Sequence, residues 1–173
     1  MMIKMIFSII IIICSTLVGE IYANAYRQRT NLLSQLILTL QMLETEIVYA
    51  STPLPYLLQS VAKRSKIEIA YLLEETAEIL LKKEGYTFSE AWRKGIELAK
   101  NKSELRKEDI ELLISLGNNL GNSDRDNQVK HIQLTMEELR RNYQEAIDLQ
   151  HKNVKLYKSL GILGGIAIVV ILF

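Results

Sequence analysis

Few residues of this 173-residue chain have the type and spacing that catalysis or metal binding requires. Its two histidines, His131 and His151, lie 20 positions apart, without a neighbouring cysteine or an HExxH motif, so no zinc site is predicted. Glu74, Glu75 and Glu78 have the spacing of a solvated helix face. No Ser-His-Asp or Cys-His arrangement is found. The sequence therefore predicts a protein that is not an enzyme and holds no cofactor or metal.

One glycine-containing motif lies in the centre of the chain, at residues 116–121 (LGNNLG). It lacks the GK[ST] ending and the preceding strand of a phosphate-binding loop. We therefore interpret it as a helix exit, in which Gly117 and Gly121 close the helix and a glycine supplies the left-handed cap. Asp124 is expected to interact with the positive end of the next helix. Contact with a protein partner is the alternative role of this corner.

A second glycine motif lies near the C-terminus, where Gly161 and Gly165 have GxxxG spacing inside an apolar helix. Small residues at this spacing let another helix backbone approach closely. That helix is either the first apolar segment of the same chain or a partner's helix. Ordinary use of glycine in a membrane segment is the competing interpretation.

Apolar residues spaced three and four apart predict that helices position these motifs. A long first helix is expected over residues 21–50 and a long last helix from 123 to 157, with four shorter helices between them. Pro53 is placed in the first turn of the second helix, and capping boxes are predicted at residues 65–68 and 87–90. The predicted fold is all-α: an antiparallel bundle of about six helices, whose first and last helices continue into N- and C-terminal transmembrane segments.

Charge is confined to the middle of the chain, because Lys4 is the only charged residue outside residues 20–158. The middle segment is balanced in charge, which disfavours a nucleic-acid partner. The uncharged ends, residues 5–19 and 159–173, would each span roughly 22 Å as helices, against a hydrocarbon core of about 30 Å. Snorkelling of Lys4 and Lys158 brings both ends close to a full membrane span.

Three regions are therefore predicted: an N-terminal transmembrane segment (1–22), a helical-bundle domain (23–157) and a C-terminal transmembrane segment (158–173). Basic residues at the edges of the domain predict that it is cytoplasmic. The alternative is a cleaved secretory signal ending at Ala23-Asn24-Ala25. That would leave a secreted or surface-facing helical binding module with a C-terminal anchor.

Four blocks, in their order and spacing, resemble the stage III sporulation protein AB family of endospore-forming bacteria. They are residues 36–54 (LILTLQMLETEIVYASTPL), 90–92 (EAW), 116–125 (LGNNLGNSDR) and 158–161 (KSLG). The resemblance covers nearly the whole chain. It implies a soluble region similar to the cytoplasmic domains of inner-membrane platform proteins in type II secretion and type IV pilus machines.

The resemblance also implies a function and a location. Family members are components of a secretion-like channel complex in the mother-cell membrane that faces the forespore. The expected partners are the membrane, a cytoplasmic motor ATPase (the AA protein of the same complex) and other membrane channel subunits. Homo-oligomerisation is left open, and the family offers no catalytic residues.

Overall fold

In the computed structural model, the described residues are 2–50, 52–100, 103–121 and 124–172, and within them the chain forms six α-helices and no strand. This confirms the predicted all-α class with long first and last helices. The predicted start of the last helix, Ser123, lies outside the described residues. The helices are α1 (Met2–Tyr49), α2 (Leu54–Ala62), α3 (Ile67–Leu81), α4 (Phe88–Lys100), α5 (Lys107–Asn119) and α6 (Arg125–Leu172).

The chain divides into two compact units, and both divisions fall inside a long helix. The terminal unit comprises Met1–Thr30 and Gln144–Phe173, and the central unit comprises Asn31–Tyr143. This division reflects packing. The boundaries after residues 22 and 157 describe where a membrane would end, and they stay a prediction.

The central unit is a bundle in which α2 packs on α3, α3 on α4 and α4 on α5. Two hydrogen bonds show that the α1 and α6 segments of this unit run antiparallel. Gln133 Nε2 donates to Glu44 Oε1 at 2.6 Å, and Arg125, which is earlier in α6, donates to the carbonyl of Ile47, which is later in α1. Apolar residues three and four apart give each long helix one buried face. The largest fully buried side chains are Leu33, Leu40, Leu43, Leu57, Leu58, Val61, Leu73, Trp92, Leu116, Leu120, Ile132 and Leu139.

Helix starts in the central unit match the predictions at one site and differ at another. Before α4, the Thr87 N–H donates to Glu90 Oε2 at 2.8 Å and the Glu90 N–H donates to Thr87 Oγ1 at 3.3 Å, so this capping box is confirmed. The box predicted at residues 65–68 is wrong, because Lys66 is the N-cap of α3. The Ser65 hydroxyl instead donates to the Val61 carbonyl at 2.9 Å, at the end of α2.

The terminal unit pairs the first part of α1 with the last part of α6. Contacts of Ser15 with Gly161 and of Ile12 with Gly165 show that these segments are also antiparallel. Both helices are long and apolar enough to cross a membrane, and only 6% and 11% of their most apolar 18-residue windows are buried. These windows are therefore not the core of a water-soluble bundle, whose apolar faces would be covered.

Candidate functional site

In the terminal unit, Gly161 and Gly165 lie where the two helix backbones come closest. A Cβ on Gly161 would lie 3.0 Å from the Ser15 carbonyl oxygen and 3.3 Å from the Gly19 Cα. A Cβ on Gly165 would lie 3.0 Å from the Ile12 Cα. These distances are shorter than nine in ten real Cβ contacts, so a side chain at either position would press on the α1 backbone, and a large one would force the helices apart. The GxxxG face thus packs on α1 of the same chain.

We call this contact between α1 and α6 the glycine seam. Its α1 side consists of Ser15 and Gly19, which were not predicted from the sequence. A Cβ on Gly19 would lie 2.5 Å from the Tyr157 carbonyl oxygen. The Ser15 hydroxyl donates to the Gly161 carbonyl at 2.7 Å. Ser15 and Gly19 themselves have small-xxx-small spacing, and this signal was available in the sequence.

A polar cluster lies at one end of the seam, in the same unit. Glu20 accepts a hydrogen bond from Arg27 at 2.7 Å and forms an ion pair with Lys158 at 3.0 Å. The Tyr157 ring stacks on Tyr22 and on Tyr26, with ring centroids 5.5 and 5.9 Å apart. Tyrosines with an apolar body and a polar tip favour the boundary between hydrocarbon and water.

In the central unit, the residues predicted as turn or cap positions occupy different roles. Pro53 lies at the N-cap of α2, one residue before the first turn in which it was expected, and Pro55 lies inside that turn. The Pro53 carbonyl accepts the N–H groups of Tyr56 and Leu57, both at 3.1 Å. Prolines here cost no helical hydrogen bond, because the first N–H groups have no partner within the helix.

Gly121 and Asp124 lie on either side of the corner between α5 and α6. Gly121 has φ +83°, a backbone conformation that residues with a side chain adopt only under strain. A Cβ there would also come within 2.8 Å of the Phe88 Cβ. Asp124 Oδ1 accepts the N–H of Asn127 at 2.9 Å, so its carboxylate caps the first turn of α6.

Gly117 was predicted as a cap, and this prediction is wrong, because the residue lies inside α5. A Cβ on Gly117 would overlap the indole ring of Trp92. Trp92 is 1% exposed, and its Nε1–H donates to the Leu113 carbonyl at 2.7 Å. Gly117 is therefore needed for the packing of α4 against α5 and not for a turn.

Two further polar contacts of the central unit are invisible in the sequence pattern. The Arg125 guanidinium donates to the carbonyls of Ile47 and Ala50, which are acceptors left over at the end of α1. Asp109 is 0% exposed; its carboxylate accepts the Arg106 N–H at 2.9 Å and the Asn142 Nδ2–H at 2.8 Å. These contacts attach α6 to the ends of α1 and α5.

The described part of the chain lacks the side-chain cluster that a metal site would need. It contains no group of three or more His, Cys, Asp or Glu residues that could hold a metal ion. An apolar cavity in the central unit, bordered by Leu36, Leu72 and Leu113, measures about 20 Å³, which is room for about one water molecule. The side chains around this cavity are those of a packed apolar core.

Comparison with known proteins decides the family. The family profile of stage III sporulation protein AB matches residues 4–173. The chain belongs to this family. Stage III sporulation protein AB of Bacillus subtilis (strain 168) is 32% identical over 171 residues, which are 99% of each chain. A solved structure of stage III sporulation protein AB superposes with a TM-score of 0.67 at 30% identity, covering 72% of this chain and 98% of that one.

Membership in the stage III sporulation protein AB family supports the resemblance predicted from the sequence blocks. The chain is thus a sporulation protein by family, and its relatives carry names of sporulation proteins and not of enzymes. Within this family member, two regions stand out as functional candidates. One is the glycine seam of the terminal unit, and the other is the exposed surface of the central unit.

Proposed function

We propose that this protein is a non-catalytic, membrane-anchored platform component of a secretion-like sporulation channel complex between mother cell and forespore. The observation that carries the proposal is the terminal unit, in which two exposed apolar helices pair through a glycine seam. A charge-balanced helical bundle lies between them in sequence. This arrangement suits an anchor with a docking domain.

The polar groups of the apolar helices favour anchoring over transport. The hydroxyls of Ser8, Ser15 and Thr16 donate to the backbone carbonyls of Lys4, Gly161 and Ile12 respectively. The three hydroxyls are thereby satisfied within the helix pair, as a low-dielectric environment requires. Residues 5–19 and 159–173 contain no ionisable side chain of the acidic or basic type that marks ion or proton paths.

The central unit is proposed to lie in the cytoplasm of the mother cell, with both chain termini across the membrane. Basic residues near the inner ends of the apolar runs, among them Arg27 and Lys155, support this orientation by the positive-inside rule. In this position the central unit is accessible to a cytoplasmic motor ATPase, the AA protein of the same complex, and to other membrane subunits.

Two exposed charged faces of the central unit are candidates for contact with the ATPase. Glu74 and Glu78 are exposed on α3. On α6, Arg140 pairs with Glu137 at 2.9 Å, and Arg141 pairs with Glu138 at 3.7 Å. Such exposed pairs contribute little to stability, so both arginines are available to a partner at small cost.

The test is binding of the purified ATPase to the full chain reconstituted in lipid nanodiscs. We expect saturable binding, with Glu74→Lys/Glu78→Lys or Arg140→Glu/Arg141→Glu reducing affinity at least tenfold. Glu97→Lys/Glu104→Lys changes charge by the same amount at two other exposed positions, and we expect it to bind like the unaltered chain. Absence of binding to the unaltered chain would contradict direct coupling to the motor.

The alternative, a secreted module with a cleaved signal, requires loss of the chain up to Ala25. Cleavage there would remove Ser15 and Gly19, which are the packing partners of Gly161 in the terminal unit. The glycine face of α6 would then lack the helix it fits. This loss favours retention of both ends.

A further inference from the structure

The part of α6 that leads into the apolar run is lysine-rich. Lys152, Lys155 and Lys158 are spaced three apart and are all exposed, and no acidic residue follows Asp148 in the chain. Lys158 is paired with Glu20 at 3.0 Å. Among the described residues, Lys152 and Lys155 form neither an ion pair nor a hydrogen bond through their side chains. Two cations are therefore left to an external partner.

Neighbouring residues of the terminal unit indicate where these lysines would lie if the unit spans a bilayer. Tyr22 is 57% exposed and stacks on Tyr157, an arrangement that fits the headgroup level. Lys155 and Lys152 lie about 4.5 and 9 Å beyond Lys158 along the helix axis. The Debye length at physiological salt is about 8 Å, so Lys155 lies within it and Lys152 lies close to its limit. A negatively charged bilayer surface would therefore act on both ammonium groups.

We propose that Lys152 and Lys155 bind the headgroups of anionic phospholipids on the side of the membrane that carries the central unit. The proposal rests on the membrane anchoring proposed above. Two observations select a lipid as the occupant. The lysines continue directly from the apolar run, and their positive charge complements a phosphate-rich surface. Asp148, the nearest acidic residue along α6, lies a further turn away from that run.

This binding would fix the depth of α6 in the bilayer. Glu20 forms ion pairs with both Lys158 and Arg27. The ion pairs of Glu20 thus hold α1 and α6 together, while Lys152 and Lys155 hold the helix pair to the lipid surface. Because the contact of Lys152 and Lys155 with the headgroups depends on lipid charge, a change in lipid composition would alter the depth of the helix pair. It would not separate the two helices.

The experiment measures lipid selectivity of the full chain in vesicles, by electron paramagnetic resonance of spin-labelled lipids. Spin-labelled phosphatidylglycerol and phosphatidylcholine are compared by the fraction immobilised against the protein. We expect at least an approximately fivefold preference for phosphatidylglycerol at low ionic strength, which is the factor that one surface lysine gives. Added salt should reduce this preference.

The variant Lys152→Gln/Lys155→Gln should abolish the preference and leave the helical circular dichroism unchanged. The matched control Lys63→Gln/Lys82→Gln removes two exposed lysines of the central unit and should keep the preference. Equal immobilisation of both lipids by the unaltered chain, or equal loss in the control, would overturn the proposal. Immobilisation of neither lipid would contradict the membrane anchoring itself, which separates the two failures.

Discussion

Gly161 in the terminal unit and Gly117 in the central unit make room for different neighbours. In the terminal unit, Gly161 lets two backbones meet, with the Gly19 Cα 3.3 Å from where its Cβ would be. In the central unit, Gly117 admits the largest side chain of the core, the indole of Trp92. Water drives large apolar side chains into a core, whereas lipid gives helices no such incentive and favours close contact between small residues. The backbone contact at Gly161 and the exposed apolar helices around it are compatible with membrane association, whereas the contact at Gly117 belongs to a core of large buried side chains.

The largest effect is expected where the central core is tightest. Gly117→Ala would place a methyl group inside the indole of Trp92 and should lower the free energy of unfolding by about 3 kcal/mol. Denaturant titration of the full chain in detergent measures this, with fluorescence of Trp92, the single tryptophan, as the probe. Ser115→Ala, at an exposed position of the same helix, serves as the control. Equal stability of the two variants would show that α4 and α5 are not packed as described.

The second-largest effect is expected at the buried polar contact that joins α5 to α6. Asp109→Ala removes the acceptor of the Arg106 N–H and of Asn142, and should cost about 2 kcal/mol of unfolding free energy. Asp109→Asn keeps an acceptor oxygen and should cost less. Glu108→Ala, which alters an exposed neighbour, should change stability by under about 0.5 kcal/mol. The same titration compares all three, and a cost for Asp109→Ala no larger than that for Glu108→Ala would refute the role of this contact.

The corresponding change in the terminal unit should leave the central core intact. Gly161→Ile/Gly165→Ile should weaken pairing of the two helices by about 1–2 kcal/mol through overpacking. Spin labels at the exposed residues Leu17 and Leu163 report the pairing, by the width of their distance distribution in vesicles. The unfolding midpoint from Trp92 fluorescence should not move.

A matched control for this pair is available one residue away. A Cβ on Gly164 would meet only the Ser15 hydroxyl, at an ordinary 3.6 Å. Gly164→Ile should therefore leave the distance distribution narrow. If it broadens the distribution as much as the double variant does, the seam is not specific.

The smallest effect is a pH dependence at the start of α4. Hydrogen bonds from the Thr87 N–H and then its hydroxyl hold the pKa of Glu90 below its usual 4.5. A carboxyl whose pKa is lowered by folding stabilises the protein above its unfolded-state pKa, and this contribution disappears as the pH falls through the folded-state pKa. The melting-temperature difference between the unaltered chain and Glu90→Gln should thus exist at neutral pH and vanish in acid. A melting-temperature difference that is independent of pH would contradict stabilisation by the ionised Glu90 carboxylate.

Local features of the fold could be predicted from the sequence, and contacts between distant residues could not. Thr87 and Glu90 are three residues apart, so their pairing follows from helix geometry alone. Glycine is the residue type typical of a helix cap, and this led to the wrong prediction for Gly117. Its actual role depends on Trp92, which belongs to another helix. Likewise, nothing near Arg125 in the chain indicates that it binds the carbonyls at the end of α1.

The candidate site of the terminal unit was predicted only in part, for the same reason. The spacing of Gly161 and Gly165 indicates a packing face, but a face does not name its partner. The Ser15 hydroxyl bond to Gly161 supplies that information, because it identifies α1 of the same chain. The charged faces of the central unit remain candidates, since an exposed glutamate has the same surroundings before docking whether or not a partner uses it.

The most direct test of the anchor is the intact mass of the protein isolated from membranes of sporulating cells. If α1 and α6 form one anchor, the mass should include every residue from Met2, with or without Met1, through Gly19 and beyond. The protein should also stay in the membrane fraction after alkaline carbonate washing. A mature chain that begins at Tyr26, or release of the protein by carbonate, would contradict the paired anchor and favour the secreted alternative.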